Sequence, residues 1–195
     1  VISGTGTAKV TTGMPPTGQA RPADEADVVI VGGGPTGLML AAELRLGGAD
    51  PVVLERRPEI SEIPKGNGLA GQIVPVLDYR GLLERFGAEA TWAGPVPRFS
   101  FGPLQLDFSR LGVSPLHVLT IPQRRLEELL GERLAELGGT VRRGHELIAL
   151  SRDDDAVTLE VRGPQGDYRL RARYLALARS CWPATPPTSS GWAGH

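Results

Sequence analysis

The stretch that most limits what this chain can become runs from Asp27 to Glu55, DVVIVGGGPTGLMLAAELRLGGADPVVLE. Residues 27–31 are a short aliphatic run of the kind buried on both faces of a parallel sheet. Leu38, Leu40, Ala41 and Leu44 recur at helical spacing through residues 36–46, and the glycines at 47 and 48 stop that helix. Residues 51–55 form a second buried strand. A strand, a helix and a strand within about 30 residues make a βαβ unit.

Between the first strand and the helix, Gly32, Gly34 and Gly37 form G-x-G-x-x-G. Gly32 allows the tight turn, Gly34 lets the backbone approach a pyrophosphate, and Gly37 lets the helix pack on the strand. Phosphates would then sit at the helix N-terminus, at Gly34, Pro35 and Thr36, where unpaired N–H groups and the helix dipole favour negative charge. Glu55 stands eighteen residues beyond Gly37, at the end of the second strand. An acid there accepts hydrogen bonds from a ribose diol and repels a 2′-phosphate. The set predicts an ADP moiety, as FAD or NAD rather than NADP. A glycine-rich turn in an unrelated α/β protein explains the glycines but has no need of Glu55.

Composition narrows the alternatives. The net charge is −1 with acids and bases interspersed, which argues against a nucleic-acid surface. One cysteine excludes an intrachain disulfide framework and a Cys-based zinc site. No stretch approaches the ~18 apolar residues of a membrane span, and no secretory signal is visible, so a cytoplasmic location is expected. Residues 1–25, rich in Gly, Thr and Pro, are expected to be disordered, leaving residues 26–178 as the ordered domain.

Beyond Glu55 lies a long Pro- and Gly-rich loop, RRPEISEIPKGNG, of a length that is usually functional. LAGQIVPVLDYRGLLERFG reads as helical at both ends, with Pro75 kinking it or resetting its start. RFSFGPLQLDF alternates about a Gly-Pro turn as a hairpin, and LHVLTI is a further strand. PQRRLEELLGERLAELGG is the clearest helix, with Leu126, Leu129, Leu130, Leu134 and Leu137 in one stripe and Glu127, Glu128, Glu132 and Glu136 on a solvated face. Three strands are expected after it, VRRGHELIALSR, AVTLEVRG and YRLRARYLALA, separated by turns at Asp153–Asp155 and PQGD.

Several tempting residues have plainer roles. His145 and His117 fall on strands, where packing explains them better than acid–base work. Trp92, Phe99, Phe101 and Phe108 are expected in the core ahead of any contact with an aromatic ligand. The three aspartates at 153–155 lack a second ligand cluster, so no metal is expected. No G-x-S-x-G turn supports a serine nucleophile.

From Asp27 to about Ala178 the chain resembles FAD-dependent aromatic hydroxylases of the p-hydroxybenzoate hydroxylase type, in particular those that oxygenate aromatic polyketides in bacteria. The segments LERRPE, LDYRGLLERFG, IPQRRLEELL and VRRGHELIALSRDDDAVTLEVRGPQG carry the likeness. It implies an α/β fold, a Rossmann-like FAD/NAD(P)-binding domain with an appended antiparallel β-meander. It implies FAD as cofactor, NAD(P)H as transient reductant, and O2 and a small aromatic molecule as substrates, with no nucleic-acid or membrane partner and no indication of oligomeric state. By the same likeness Glu55 would hold the adenosine ribose and Arg56 would lie beside the adenosine or diphosphate. Gln123 would contact the FAD ribose or ribityl region, with Arg124 the next candidate. Where the family has Arg-x-x-Gly-Leu-x-x-Arg, this chain has Lys65, a point charge in place of a fork, and Gln72, which keeps hydrogen bonding and loses charge; Pro75 stands where a glutamate is common.

The family also carries an Asp-Gly segment after the meander and a later Gly-Asp-Ala-Ala-His-like segment, and neither is present. The domain is therefore expected to be incomplete, with a late strand missing from its sheet. Residues 179–195 contain no Lys, Asp or Glu and hold two of the three tryptophans. Read one base earlier, the codons of Cys181–Thr185 allow Val-Leu-Ala-Cys-Asp-Ala, so a frameshift near Arg179 is the expectation. A catalytically inactive nucleotide-binding fragment, or a partner-dependent half of a flavoprotein, is the alternative reading, and a different FAD enzyme such as an amine oxidase or a plain reductase is a weaker rival.

Overall fold

A computed structural model describes residues 24–63 and 66–178; Lys65, the segment 1–23 and the tail 179–195, with the expectations placed on them, lie outside it. The chain begins with β1 (Glu25–Val31), α1 (Pro35–Leu46) and β2 (Pro51–Glu55), the βαβ unit predicted from the glycine pattern. β3 (Leu69–Ala70), α2 (Ile73–Tyr79), α3 (Leu83–Ala88), β4 (Trp92–Pro95), β5 (Arg98–Phe101), β6 (Leu104–Asp107) and β7 (His117–Thr120) follow. The long helix α4 (Gln123–Glu136) precedes β8 (Thr140–Arg143), β9 (Glu146–Arg152), β10 (Val157–Gly163) and β11 (Gly166–Leu177).

A six-stranded sheet of order β8-β2-β1-β11-β10-β9 organises the molecule. β8, β2, β1 and β11 run parallel, and β11, β10 and β9 form an antiparallel meander. β11 belongs to both halves. Its early residues pair with β10 as far as Val157↔Ala172, while the strand also runs alongside β1 from Glu25↔Arg171 to Val31↔Leu177. Among the described residues, β11 beyond Ala172 has a strand on one side only. A three-stranded sheet β3-β7-β4 and the hairpin β5-β6 complete the strands.

The aliphatic runs in β1 and β2 are buried on both faces, as their lack of alternation requires. Val28, Ile30 and Val53 face a core built with Leu38 and Ala41 of α1, Phe86 of α3, and Leu126, Leu129, Leu130 and Leu134 of α4. Val29, Val31, Val52 and Leu54 face a second core with Leu147, Leu159, Val161 and Leu170 of the meander. The helix-side core holds α1 and α4 against each other, and this fixes the geometry at their N-termini.

Three expectations are corrected. VRRGHELIALSR is two strands: Gly144 takes φ 73°, and the chain leaves the parallel sheet after β8 and re-enters it at the opposite edge as β9. The aromatic residues set in the core lie outside it, with Trp92 at 52% and Phe101 at 73% exposure and Phe99 and Phe108 half-buried, because the short β4, β5 and β6 are not covered by any described element. Glu127, placed on the solvated face, is buried, for a reason given below. Pro75 sits in the first turn of α2, where the missing N–H has no helical acceptor in any case, so it resets the helix start without a kink.

Candidate functional site

The βαβ connection places a turn at the carboxyl end of the parallel strands. Gly32 enters it at φ 118°, and its N–H donates to the Leu54 carbonyl at 2.8 Å. Gly37 lies under the turn; a Cβ there would stand 1.9 Å from the Gly32 carbonyl oxygen, so only glycine lets α1 come this close. Gly34 is the N-cap residue of α1 and no side chain caps the helix. Pro35 has no N–H to satisfy, and the N–H groups of Thr36 and Gly37 belong to the first turn, which has no acceptors within the helix. The first turn carries no acid, so its partial positive charge is not neutralised from within the helix.

Glu55 is held over this turn by two backbone donors. The Gly33 N–H donates to Oε2 at 2.8 Å and the Arg57 N–H to Oε1 at 3.0 Å. A carboxylate offers about four lone-pair sites, so each oxygen retains capacity for a further donor. The Glu55 carbonyl accepts from the His145 N–H at 3.0 Å, which ties the end of β2 to the β8–β9 turn. There His145 Nδ1 lies 2.9 Å from the Tyr168 hydroxyl, and burial first, then the Arg142 guanidinium, holds the imidazole below the usual histidine range.

A cleft of about 420 Å3 runs along these groups, within the roughly 300–1,000 Å3 typical of ligand sites. Gly32, Gly34, Pro35, Thr36, Glu55, Arg56 and Gln123 line it together. The sequence predictions thus converge on one site from β1, α1, β2 and α4. Gln72 is the exposed N-cap residue of α2 and does not line the cleft. Arg124 does not line the cleft and is paired with Glu128 and with Glu62.

Sequence reasoning missed Gly33, Arg57, Glu127 and Arg143, which also line the cleft. The glycine pattern assigns positions 32, 34 and 37, leaving the middle glycine of the run without a role. A Cβ on Gly33 would meet Glu55 Cβ at 2.9 Å, so this glycine admits the acid. Arg143 ends β8 beside Glu55, its register partner on β2, and nothing in its local sequence marks that position. Glu127 is one helical turn beyond Gln123, on the flank of α4 that faces the glycine turn. That flank is covered because α1 and α4 pack together, and Glu127 is left 8% exposed.

Residues 25–178 match the FAD binding domain family. The chain belongs to the FAD-binding domain family. Among curated relatives, this FAD-binding domain is 48% identical over 149 residues to the 12-dehydrotetracycline 5-monooxygenase/anhydrotetracycline 6-monooxygenase of Streptomyces rimosus subsp. rimosus, covering 76% of this chain and 29% of that protein. It is 42% identical over 149 residues to the rifampicin monooxygenase of Streptomyces venezuelae, covering 76% of this chain and 30% of the relative. The anhydrotetracycline hydroxylase from Streptomyces rimosus superposes with a TM-score of 0.71 at 46% identity, over 78% of this chain and 31% of that one. The chain therefore spans under a third of the length of these relatives. The FAD-binding domain and its meander are the part they share with it. Among the described residues no helix is long and apolar enough to cross a membrane, and no group of His, Cys, Asp or Glu is placed to hold a metal ion.

Proposed function

We propose that the chain is the FAD-binding portion of an NAD(P)H- and O2-dependent monooxygenase that hydroxylates a polycyclic or phenolic aromatic molecule, acting in the cytoplasm where that reductant is found. The observation that carries the reading is the single cleft in which the glycine turn, the uncapped α1 N-terminus, Glu55 and Gln123 meet. The names of the relatives support the reaction class and the aromatic substrate class.

The residues present fit the cofactor. Glu55 accepts the two hydroxyls of the adenosine ribose with the lone pairs its backbone donors leave free. The Thr36 and Gly37 N–H groups and the α1 dipole hold the diphosphate, whose oxygens can approach because Gly34 has no side chain. Arg56 lies on the adenosine side and Gln123 meets the ribose or ribityl region. Lys65 is the proposed point charge for the diphosphate, Gln72 takes no part because it does not line the cleft, and Arg124 reaches the site only by leaving its pairs with Glu62 and Glu128. FAD, when bound, supplies the electron-transfer and oxygen chemistry, while the protein binds, orients and excludes water.

Titration of the purified chain with FAD, followed by flavin fluorescence and by calorimetry, tests the proposal. Saturable binding of FAD and of ADP, with a Glu55→Gln variant weakened toward both, is expected. Absence of binding to the unmutated chain overturns it. NADPH-dependent oxygen consumption that rises with an added aromatic substrate tests the reaction class.

A further inference from the structure

Glu127 is the one charged side chain that is buried among the described residues, and the FAD contacts proposed above do not use it. It lines the cleft together with Gln123 and Gly34. Gln123 Nε2 donates to Glu127 Oε1 at 2.7 Å, and the same oxygen stands 4.0 Å from where a Cβ on Gly34 would be. An acid therefore sits directly against the turn that the diphosphate is proposed to use, where a negative charge works against an anion.

The hydrogen-bond inventory accounts for it. An ionised carboxylate only accepts, so it fixes which end of the Gln123 amide faces it: Nε2 turns to Glu127 and Oε1 is left on the other side. The main chain of Gln123 is fixed as well, its N–H donating to the Gly66 carbonyl at 3.2 Å. The pair thus presents acceptors, and acceptors suit a ligand segment that brings O–H donors. In a dinucleotide anchored by Glu55 at one end and by the α1 N-terminus at its diphosphate, that segment is the polyhydroxylated link beyond the diphosphate.

We propose that Glu127 is a positioning residue that locks the Gln123 amide with Oε1 as the acceptor for a hydroxyl of that link. The inference rests on the FAD reading of the cleft and deepens it. A glutamine at 127 has the same shape but can both donate and accept, so it no longer dictates the orientation of Gln123.

The experiment compares FAD with ADP, which lacks the link, on the 195-residue chain and its E127Q, Q123A and double variants. E127Q should weaken FAD by up to about tenfold, the upper end for the loss of one hydrogen bond between neutral groups. ADP should bind E127Q as well as it binds the unmutated chain, or more tightly, which also shows that the variant folds. In the Q123A background, E127Q should no longer weaken FAD. An equal loss for FAD and ADP, no loss for FAD, or an undiminished effect of E127Q without Gln123 each overturns the inference while leaving the cleft assignment standing. Failure of the unmutated chain to bind either ligand overturns the cleft assignment and this inference with it.

Discussion

The Gly33 N–H and the Glu55 carboxylate meet at 2.8 Å, and the α-carbon of Gly33 is close enough to Glu55 that a methyl group would fall 2.9 Å from its Cβ. The turn and the acid are therefore one unit: the glycine supplies both the donor that orients Glu55 and the space that Glu55 occupies. Gly33→Ala should push the two apart at a cost of about 1–3 kcal/mol, the usual penalty of overpacking. A melting temperature lower by several degrees, together with weakened ADP binding, is the expected result. An alanine variant that melts and binds like the unmutated chain would show that Glu55 is free to move.

Glu55→Gln keeps the shape and removes the charge. One of the two backbone donors, Gly33 or Arg57, then faces an amide NH2 in place of an oxygen. ADP affinity should fall about tenfold. The preference for ADP over adenosine 2′,5′-bisphosphate should narrow, because the charge that repels a 2′-phosphate is gone. Competition calorimetry with the two nucleotides checks this, and an unchanged preference would place the ribose elsewhere.

His145 makes stability depend on mild acid. Burial and Arg142 hold its folded pKa below the unfolded value of about 6.5. The unfolded chain therefore binds the proton first, so this contribution is complete above about pH 6.5 and is lost as pH falls toward the folded value. Denaturant midpoints measured between pH 7.5 and pH 5 should fall, and the slope should flatten in His145→Gln. Equal slopes in the two proteins would contradict the assignment.

Among the described residues no strand pairs with the free edge of β11 beyond Ala172, next to which Tyr174 is 62% and Leu177 47% exposed. Such an edge invites pairing between chains. Tyr174→Lys should lower concentration-dependent light scattering without lowering the melting temperature, since the side chain is exposed. Scattering unaffected by the lysine would locate self-association on another surface.

The sequence made the nucleotide turn legible because each glycine answers a local steric demand and the two aliphatic strands show no alternation to confuse their burial. Strand and helix boundaries there match within two residues. What escaped depends on contacts between distant segments. Glu128, Glu132 and Glu136 repeat every four residues, whereas Glu127 lies off that stripe, three and seven residues before the buried Leu130 and Leu134, and it is buried where α4 packs on α1. The split between β8 and β9 had a local sign in Gly144, yet a positive φ becomes readable only once the two strands are seen at opposite edges of the sheet. Phe101 and Trp92 follow an alternating pattern that means core in a covered sheet and surface in one whose cover lies in no described element.

β11 is where the two halves of the sheet are joined, and its pairing with β1 links nearly the first described residue to nearly the last. On the ribosome β1 emerges early, at the usual rate of about 5–20 residues per second, and can recruit β2 at once through the short α1 connection. Its other flank stays bare until the meander has been made. The last described strand thus finishes the support beneath the first turn, and the sheet under the cleft is complete on both flanks of β1 only once β11 has been made. Any nascent chain halted before β11 would expose Val28–Val31 on an unpaired edge, so translation pauses within the meander should leave the chain dependent on holding chaperones.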